Sequence, residues 1–249
     1  MFKQERHDQI LKILDEKEYI SASDLCTMLQ VSMPTVRRDL GELASKKLIQ
    51  RSHGGAKRKN VPESKTIFNE TVPANIDVMK QICRHASLLI RNGSTVFIDS
   101  SDITSYLAEY LTDKDLKVIT NGIKLSAKLS SMGVKVYCTG GEISDETLSL
   151  TGSFAEEFLR TFNIDLCIFS CDGVEKDGLI NEKSMSLCML KRIAVKRSKN
   201  TLLLCDSSKF DKSAEYNIMS LDDVDAVVTN SNDINLYFNY NYKTKVIKV

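Results

Sequence analysis

The stretch that decides the fold of this 249-residue chain is residues 30–59, QVSMPTVRRDLGELASKKLIQRSHGGAKRK. It contains ten charged side chains, eight of them basic, yet its apolar residues keep helical spacing. Ser32 stands where a helix N-cap is expected, and Pro34 in the first turn costs no intrahelical hydrogen bond. The residues that form the apolar face are Val36, Leu40 and Leu43. The pattern therefore predicts a basic helix that packs on one side and presents its charges on the other.

Two shorter amphipathic patterns precede this helix. The first predicts a helix from the spacing of Ile10, Ile13 and Leu14. The second, SASDLCTMLQ, predicts a short helix with Ser21 or Ser23 as its N-cap. Its predicted buried stripe consists of Leu25, Met28 and Leu29. Three helices in this order, with a short second and a basic third, are typical of a helix-turn-helix, in which the start of the third helix enters the major groove of DNA.

The segment LIQRSHGGAKRK, after the third helix, alternates around a Gly-Gly pair and predicts a small hairpin wing with a positive rim. Arginine forks suit guanine edges, whereas lysines suit phosphates. A solvated basic helix beside a turn is the alternative interpretation, but the order of the four elements favours DNA. The residues predicted to bind double-stranded operator DNA are Ser32, Pro34, Thr35, Arg37, Arg38, Arg51, His53, Gly54, Gly55 and Lys57.

The run VSMPTVRRDLGELASKKLIQRSHGGA also resembles a known family. It is similar to the winged helix of the DeoR family of bacterial transcription regulators, whose pattern is close to V-S-x-x-T-[IV]-R-R-D-L followed by an H-G-G-A wing. The resemblance implies a DNA-binding transcription regulator, and we expect a repressor of a carbohydrate or related metabolic operon that a small effector controls.

Charge and length divide the chain into two parts. Residues 1–60 hold 12 Lys and Arg against 8 Asp and Glu, so a basic module precedes a near-neutral body. The predicted domains are a winged helix-turn-helix over 1–58, a linker over 59–74 and an α/β domain over 75–249. The charged start MFKQERHDQI and the absence of an apolar run near ~18 residues predict a cytoplasmic protein without a membrane partner. The seven cysteines form no C-x-x-C pair, which argues against a zinc site or a disulfide framework.

The second part alternates β-like runs with helical ones. The predicted strands lie in STVFIDS, LKVITNG, VKVYCTGGE, IDLCIFSCDG, TLLLCDSSKF and VDAVVTN, and predicted helices include ITSYLAEYL and IKLSAKLSSM. Such alternation indicates a mostly parallel sheet covered by helices. The predicted fold is an N-terminal all-α winged helix-turn-helix with a small β wing, followed by a C-terminal α/β domain.

The first five strands each run into a polar loop. Ligands bind outside the carboxyl ends of the strands in an open α/β sheet, so the five loops predict one cleft for a small-molecule effector. Each loop taken alone is also explained as a turn or a helix cap. The loop residues assigned to the cleft are Asp99, Ser100, Ser101, Asp102, Asn121, Gly140, Gly141, Asp172, Asp206 and Lys209.

This second part resembles the DeoR effector domain, which has a sugar-phosphate isomerase-like fold, over about residues 75–230. The family's D-S-G-T-T-T loop corresponds to DSSDIT, which adds Thr104 to the site. Its T-N and G-G loops correspond to Thr120-Asn121 and Gly140-Gly141. Its lysine and its D-x-x-K pair correspond to Lys191, Asp206 and Lys209. The resemblance implies a sugar phosphate or related metabolite as effector, and lysines and helix-start amides suit such an anion.

One loop departs from the family pattern. Ser101, Asp102 and Ile103 replace Gly-Thr-Thr, so two hydroxyl donors are lost and a carboxylate is gained. A carboxylate ~4 Å from a phosphate costs on the order of 1 kcal/mol even in water. We therefore expect phosphate binding to be weakened and a neutral, hydroxyl-bearing effector to be favoured. Alternatively, Lys191 and Lys209 offset the carboxylate and hold a phosphate from another side.

A sugar-phosphate isomerase with an accessory DNA module is the alternative function. Such an enzyme needs a carboxylate base within reach of its substrate, and Glu175 and Glu182 are the nearest candidates. No spacing singles out either residue, and solvation explains both, so the sequence predicts no catalytic residue, no metal ion and no cofactor. A homo-oligomer, dimer or tetramer, is expected because two half-sites of an operator require two recognition helices.

Overall fold

The computed structural model describes residues 3–17, 19–46, 48–52, 54–58, 75–144, 147–238 and 243–249. The chain divides into two compact units, Met1–Asn69 and Glu70–Val249. His53 and the predicted linker 59–74 lie outside the described residues, so what the sequence predicts for them stays a prediction.

The described part of the N-terminal unit contains three helices and a small antiparallel sheet. Its elements are α1 (Lys3–Glu16), β1 (Tyr19–Ser21), α2 (Ala22–Leu29), α3 (Met33–Ser45), β2 (Ile49–Ser52) and β3 (Gly55–Arg58). The sheet order is β1-β3-β2, so the predicted two-stranded wing gains a third strand. Its core includes Ile10, Leu14, Leu25, Leu29, Val36, Leu40 and Leu43. Met28, predicted to be buried, is instead 51% exposed, because the short α2 buries a narrower stripe than expected.

Local hydrogen bonds define the turn of the helix-turn-helix. Ser21 is the N-cap of α2, and its hydroxyl accepts a bond from the amide of Asp24. The C-cap of the helix is Gln30, whose φ of 52° lies in the left-handed region. Ser32 occupies the N-cap position of α3, but its hydroxyl bonds to that of Thr35 at 2.9 Å rather than to an amide. The caps thus place α3 directly after a tight turn, as the sequence predicts.

The C-terminal unit alternates strands and helices. Its strands are β4 (Thr95–Ile98), β5 (Lys117–Thr120), β6 (Lys135–Cys138), β7 (Glu142–Ile143), β8 (Leu150–Thr151), β9 (Ile164–Phe169), β10 (Gly173–Val174), β11 (Leu179–Glu182), β12 (Ser198–Leu204), β13 (Tyr216–Ser220), β14 (Ala226–Thr229) and β15 (Lys245–Lys248). Its α-helices are α4 (Ile76–Leu88), α5 (Asp102–Ser105), α6 (Ile123–Ser131), α7 (Ser153–Arg160) and α8 (Met185–Arg197).

Seven of these strands form one parallel sheet, in the order β15-β14-β12-β9-β4-β5-β6. The chain starts at β4 in the middle and winds outward first through β5 and β6, then through β9 and the rest. The direction in which successive strands are added to the sheet therefore reverses between β4 and β9, and this place is called the reversal point below. The predicted parallel α/β fold is confirmed, with the predicted strands in place. The sequence missed β15, the antiparallel sheet β10-β11-β13 and the pair β7-β8.

Both faces of the sheet are covered by helices. Val96 and Ile98 of β4 pack in one cluster with Ile82 of α4, while Phe97 between them packs in the other with Ile193 of α8. This alternation follows from the period of two in a strand. The predicted helix ITSYLAEYL is divided into the four-residue α5 and a 3-10 turn over Tyr106–Tyr110. Among the described residues, no helix is long and apolar enough to cross a membrane.

Candidate DNA-binding surface and sensor site

The start of α3 forms a basic surface in the N-terminal unit. Arg37 and Arg38 are exposed, as are Ser32 and Pro34, and Thr35 is half-buried. The apolar face of the same helix is buried, which fixes the side on which the arginines lie. The arrangement presents two guanidinium groups at the end of the helix that a helix-turn-helix inserts into the major groove.

Asp39 follows these arginines but faces inward. Its carboxylate is 1% exposed and accepts hydrogen bonds from Arg6 of α1 at 2.8 and 3.1 Å. His7 contacts the same carboxylate at 3.2 Å. Burial acts to raise the pKa of Asp39, but the hydrogen bond and charge of Arg6 outweigh it and hold the pKa below its ordinary value. Asp39 therefore anchors α3 to α1 and orients the exposed arginines.

The wing places its basic side chains outward and its second glycine inward. Arg51, Gly54 and Lys57 are exposed, whereas Gly55 is buried. A Cβ at Gly55 would lie 2.2 Å from the carbonyl oxygen of Ile20, because β1 pairs with β3 at this point. Packing against β1 explains why position 55 is glycine, and its burial gives no support to the predicted DNA contact.

In the C-terminal unit, Asp99 joins the ends of the two strands that flank the reversal point. It follows β4 and is fully buried. Its Oδ2 accepts a hydrogen bond of 3.0 Å from the amide of Ser170, which follows β9. Its Oδ1 accepts a bond of 2.6 Å from the hydroxyl of Ser101. The Thr104 hydroxyl donates to the Asp99 carbonyl oxygen at 2.8 Å. Three of the predicted site residues are therefore brought together here.

Lys191 of α8 lies in the same buried cluster. Its Nζ is 3.2 Å from Asp99 Oδ2, 2.5 Å from Glu182 Oε2 and 2.8 Å from the Ser170 carbonyl oxygen. These three contacts match the three donors of an ammonium group. Burial acts to lower the pKa of Lys191, but the two carboxylates outweigh it and raise the pKa. The charge of Lys191 is thus compensated inside the fold, which leaves it poorly placed to bind an anionic effector.

Glu182 was not assigned to the site from the sequence. The interpretation of Glu182 as a solvated side chain is wrong, since it is 5% exposed and paired with Lys191. Burial raises the pKa of Glu182, together with its hydrogen bond to Asp172, while Lys191 acts in the opposite direction. Ser170 was missed as well. No local signal marks either residue, because their partners are distant in sequence.

A second polar cluster follows β4 and β5. Ser100 Oγ accepts hydrogen bonds from Asn121 Nδ2 at 3.0 Å and from Ser149 Oγ at 2.6 Å. Asn121 is 1% exposed, and its side-chain oxygen Oδ1 is buried without a hydrogen-bond partner in the described part of the chain. Leu150 covers the same loop, because its amide donates to the Asn121 carbonyl oxygen at 2.7 Å. Ser149 was missed by the sequence analysis.

The remaining predicted residues have separate surroundings. Asp102 is exposed at the first position of α5. Half-buried Asp172 accepts a bond from the amide of Lys183 at 2.9 Å. Asp206 is buried and caps the following 3-10 turn through the amide of Ser208, which agrees with the helix-cap interpretation of that loop. Three further predicted residues lie near the surface: Gly140 and Gly141 are exposed and Lys209 is half-buried.

An exposed basic recognition helix in one unit, and a doubly wound α/β unit with a polar reversal point in the other, define a two-domain regulator with a DNA-binding and a sensor part. The family model described as DeoR-like helix-turn-helix domain matches residues 6–61. The model described as DeoR C terminal sensor domain matches residues 74–231. The chain belongs to the DeoR family of transcription regulators.

Individual relatives agree with this assignment. The chain is 32% identical to the HTH-type transcriptional regulator YulB of Bacillus subtilis, over 91% of this chain and 88% of that protein. It is 30% identical to the glycerol-3-phosphate regulon repressor of Escherichia coli, over 91% and 90%. Among solved structures, ribose 5-phosphate isomerase A of Methanocaldococcus jannaschii matches 55% of each chain at 12% identity with a TM-score of 0.42. No functional conclusion follows from that structural match.

Proposed function

We propose that the chain is a repressor of an operon of carbohydrate or related metabolism, and that a small effector bound by the sensor unit controls its binding to operator DNA. The observation that carries the DNA-binding half is the outward placement of Arg37 and Arg38 on an α3 anchored by Asp39. The glycerol-3-phosphate regulon repressor, a relative over most of the chain, supports the sign of regulation.

In this proposal the recognition helix reads bases and the wing holds the backbone. An arginine can donate two hydrogen bonds to the O6 and N7 atoms of guanine, which suits Arg37 and Arg38. Arg51 and Lys57 on the exposed wing suit phosphates, which fix the position of the protein without reading sequence. The predicted contacts of Ser32, Pro34 and Thr35 belong to the same surface.

The sensor unit binds the effector at the carboxyl edge of its sheet, near the reversal point between β4 and β9. The hydrogen-bonded loops after β4, β5 and β9 support this position.

The proposal excludes catalysis, because an isomerase needs a carboxylate base that can reach its substrate. Glu182 is buried and paired with Lys191, and the Glu175 carboxylate accepts a bond of 3.1 Å from the Ser213 hydroxyl. A regulator of operator DNA acts in the cytoplasm.

The chain acts as a homo-oligomer, a dimer or a tetramer. Two recognition helices can occupy half-sites about 34 to 36 Å apart, or a multiple of that, and the second contact then adds avidity. Large apolar side chains on the surface of the sensor unit are available for self-association: Phe154 of α7 is 80% exposed and Met185 of α8 is 60% exposed. Sedimentation of the full chain, alone and with operators of one or two half-sites, tests this part. Equal affinity for both operators would contradict it.

Selection of DNA fragments from the source genome tests the proposed function as a whole. The full chain should retain a few fragments that compete effectively against random DNA, and their neighbouring genes indicate the metabolic class. A reporter gene placed behind such a fragment should be repressed by the wild type and derepressed by Arg38→Ala. Retention of random and selected fragments with equal affinity would contradict a specific operator.

A further inference from the structure

The buried carboxamides of Asn121 and Asn181 each have an oxygen without a hydrogen-bond partner among the described residues, and that of Asn121 lies at the carboxyl edge of the parallel sheet, directly after β5. Among the residues that the structure describes, Oδ1 of Asn121 has no hydrogen-bond partner, although the side chain is 1% exposed. A buried acceptor without a donor costs free energy, and native proteins rarely retain one without a ligand or water that satisfies it. Ser100 Oγ accepts from both Asn121 and Ser149, so its own proton is also available to a bound group.

We propose that a hydroxyl group of an unphosphorylated sugar or polyol binds between Ser100 and Asn121, and that this class of compound is the effector. The inference rests on the proposed function, since it names the ligand of the same sensor. A hydroxyl both donates and accepts, so one group can satisfy Asn121 Oδ1 and accept the proton of Ser100. The phosphate group of a fully ionised ester presents acceptors alone and cannot satisfy Oδ1, so this position takes a hydroxyl and not a phosphate.

The neighbouring loop supports the same class of ligand. The hydroxyl of Ser101 donates to the carboxylate of Asp99, and the hydroxyl of Thr104 donates to the carbonyl oxygen of Asp99, so both are used inside the fold. Neither hydroxyl is therefore free to hold a phosphate. The first residue of α5 is the exposed Asp102, which repels an anion.

The charges around the carboxyl edge of the sheet also disfavour an anion. Carboxylates outnumber ammonium groups among the loop residues and their buried partners. The acidic residues are Asp99, Asp102, Asp172, Glu182 and Asp206, and the basic ones are Lys191 and Lys209. Lys191 is already compensated by two carboxylates. Carboxylates accept hydrogen bonds from ligand hydroxyls, so a neutral polyol suits this edge.

Entry of the ligand requires its cover to move. Ser149 and Leu150 lie over Asn121 through their bonds to Ser100 and to the Asn121 backbone. Leu148, the residue before them, has a backbone φ of 51°, which residues other than glycine rarely adopt. The cover thus lies next to a strained residue, and its displacement opens Ser100 and Asn121 to a ligand hydroxyl.

Thermal-shift titration of the full chain with matched pairs tests the ligand class. The probes are glucose, fructose, sorbitol and glycerol, each with its phosphate ester, and inorganic phosphate. At least one unphosphorylated probe should raise the melting temperature by mass action, more than its ester does. A larger shift with an ester or with inorganic phosphate would overturn the inference, and so would the absence of a shift with every probe.

Two variants test the position. Asn121→Ala should raise the Kd of the active probe at least about tenfold, the effect of one lost hydrogen bond in a buried site. Asn200→Ala removes an exposed carboxamide near the amino-terminal end of β12, away from the carboxyl edge of the sheet, and should leave the Kd unchanged. An unchanged Kd in Asn121→Ala would overturn the site. If Asn121→Ala does not fold, Ser100→Ala takes its place with the same expected increase.

Gel shifts on the same samples separate the two proposals. Operator binding that is released by a phosphate ester would leave the proposed function intact and remove the inference. A chain that binds no operator under any condition would remove the proposed function, whatever the thermal shifts show.

Discussion

Arg6 and Asp39 form a two-point ion pair between the first and third helices, with Nε 2.8 Å from Oδ2 and Nη2 3.1 Å from Oδ1. Asp39 directly follows the exposed Arg38, so the run Arg-Arg-Asp contains both the groups presented to DNA and the group that anchors their helix. A helix turns by about 100° per residue, which explains how neighbours can face solvent and core.

Replacement of Asp39 by Asn should destabilise the N-terminal unit. The isosteric amide loses the charge that Arg6 neutralises, and a hydrogen bond to a charged group contributes about 1.5 to 3 kcal/mol. Because the pKa of Asp39 is lowered in the folded chain, its contribution is present above the unfolded pKa, about 3.9, and is lost as the pH falls through the folded value. Urea unfolding of wild type and variant at several pH values should show a difference that shrinks below about pH 4. Glu42→Gln removes the charge of a carboxylate that pairs with Lys3 and is more exposed than Asp39, so it is the control and should change stability less.

Two glycines of the N-terminal unit should respond to alanine in opposite directions. Gly55→Ala places a Cβ against the Ile20 carbonyl and should cost about 1 to 3 kcal/mol by displacing β1. Gly41→Ala, inside α3, meets nothing within 4 Å and should stabilise the unit by about 0.5 to 1 kcal/mol. Thermal unfolding of both variants measures these changes in stability. A Gly55→Ala chain as stable as the wild type would show that β1 does not pack as described.

Substitutions in the recognition helix and in the wing should have different effects on DNA binding. Arg38→Ala should cost about 1 to 3 kcal/mol on the operator and relax its specificity, because a base contact is lost. Lys57→Ala should weaken binding to all sequences and reduce the salt slope by about one unit. Filter binding to operator and random DNA over a range of salt concentrations separates the two. If Arg38→Ala weakened both DNAs equally, its assignment to base reading would fail.

The buried lysine of the sensor unit should be essential for stability. Lys191→Met leaves Asp99 and Glu182 facing each other without a cation, and breaking a buried ion pair costs about 3 to 5 kcal/mol. Lys196→Met, on the same helix but exposed, should have little effect. Chemical unfolding of the full chain measures both. A mild effect at Lys191 would mean that its carboxylate partners become protonated or solvated at little cost.

Restoring a hydroxyl at position 102 should shift the ligand preference. Asp102→Thr removes an exposed carboxylate from the start of α5 and adds a donor, so the response to phosphorylated probes should improve relative to their unphosphorylated partners. Asp113→Thr, an exposed aspartate before β5, is the control and should leave the preference unchanged. The measurement is the thermal shift of each variant with each pair. Strong binding of an ester by the wild type that Asp102→Thr does not improve would show that Asp102 does not select against phosphate.

The sequence predicts those helices and strands that are determined by the spacing of neighbouring residues. The spacing of Val36, Leu40 and Leu43 defines α3, and continuous apolar runs define the central strands of the sheet. Strand β1 was missed because three residues carry no alternation, and its partner Ala56 lies far along the chain from Ile20. The burial of Lys191 was missed for a similar reason, since its carboxylate partners Asp99 and Glu182 come from other elements.

The order in which the sheet is wound has a consequence for synthesis. Asp99 and Ser170, which bond across the centre of the sheet, are 71 residues apart. Ribosomes add roughly 5 to 20 residues per second, so the inner edge of β4 waits on the order of 4 to 14 seconds for β9 to emerge. The N-terminal unit, whose last strand ends at Arg58, is complete before any strand of this sheet exists. The nascent chain therefore carries a finished DNA-binding unit while the edge of β4 that later pairs with β9 is still open, and an open apolar strand edge is prone to aggregation during that interval.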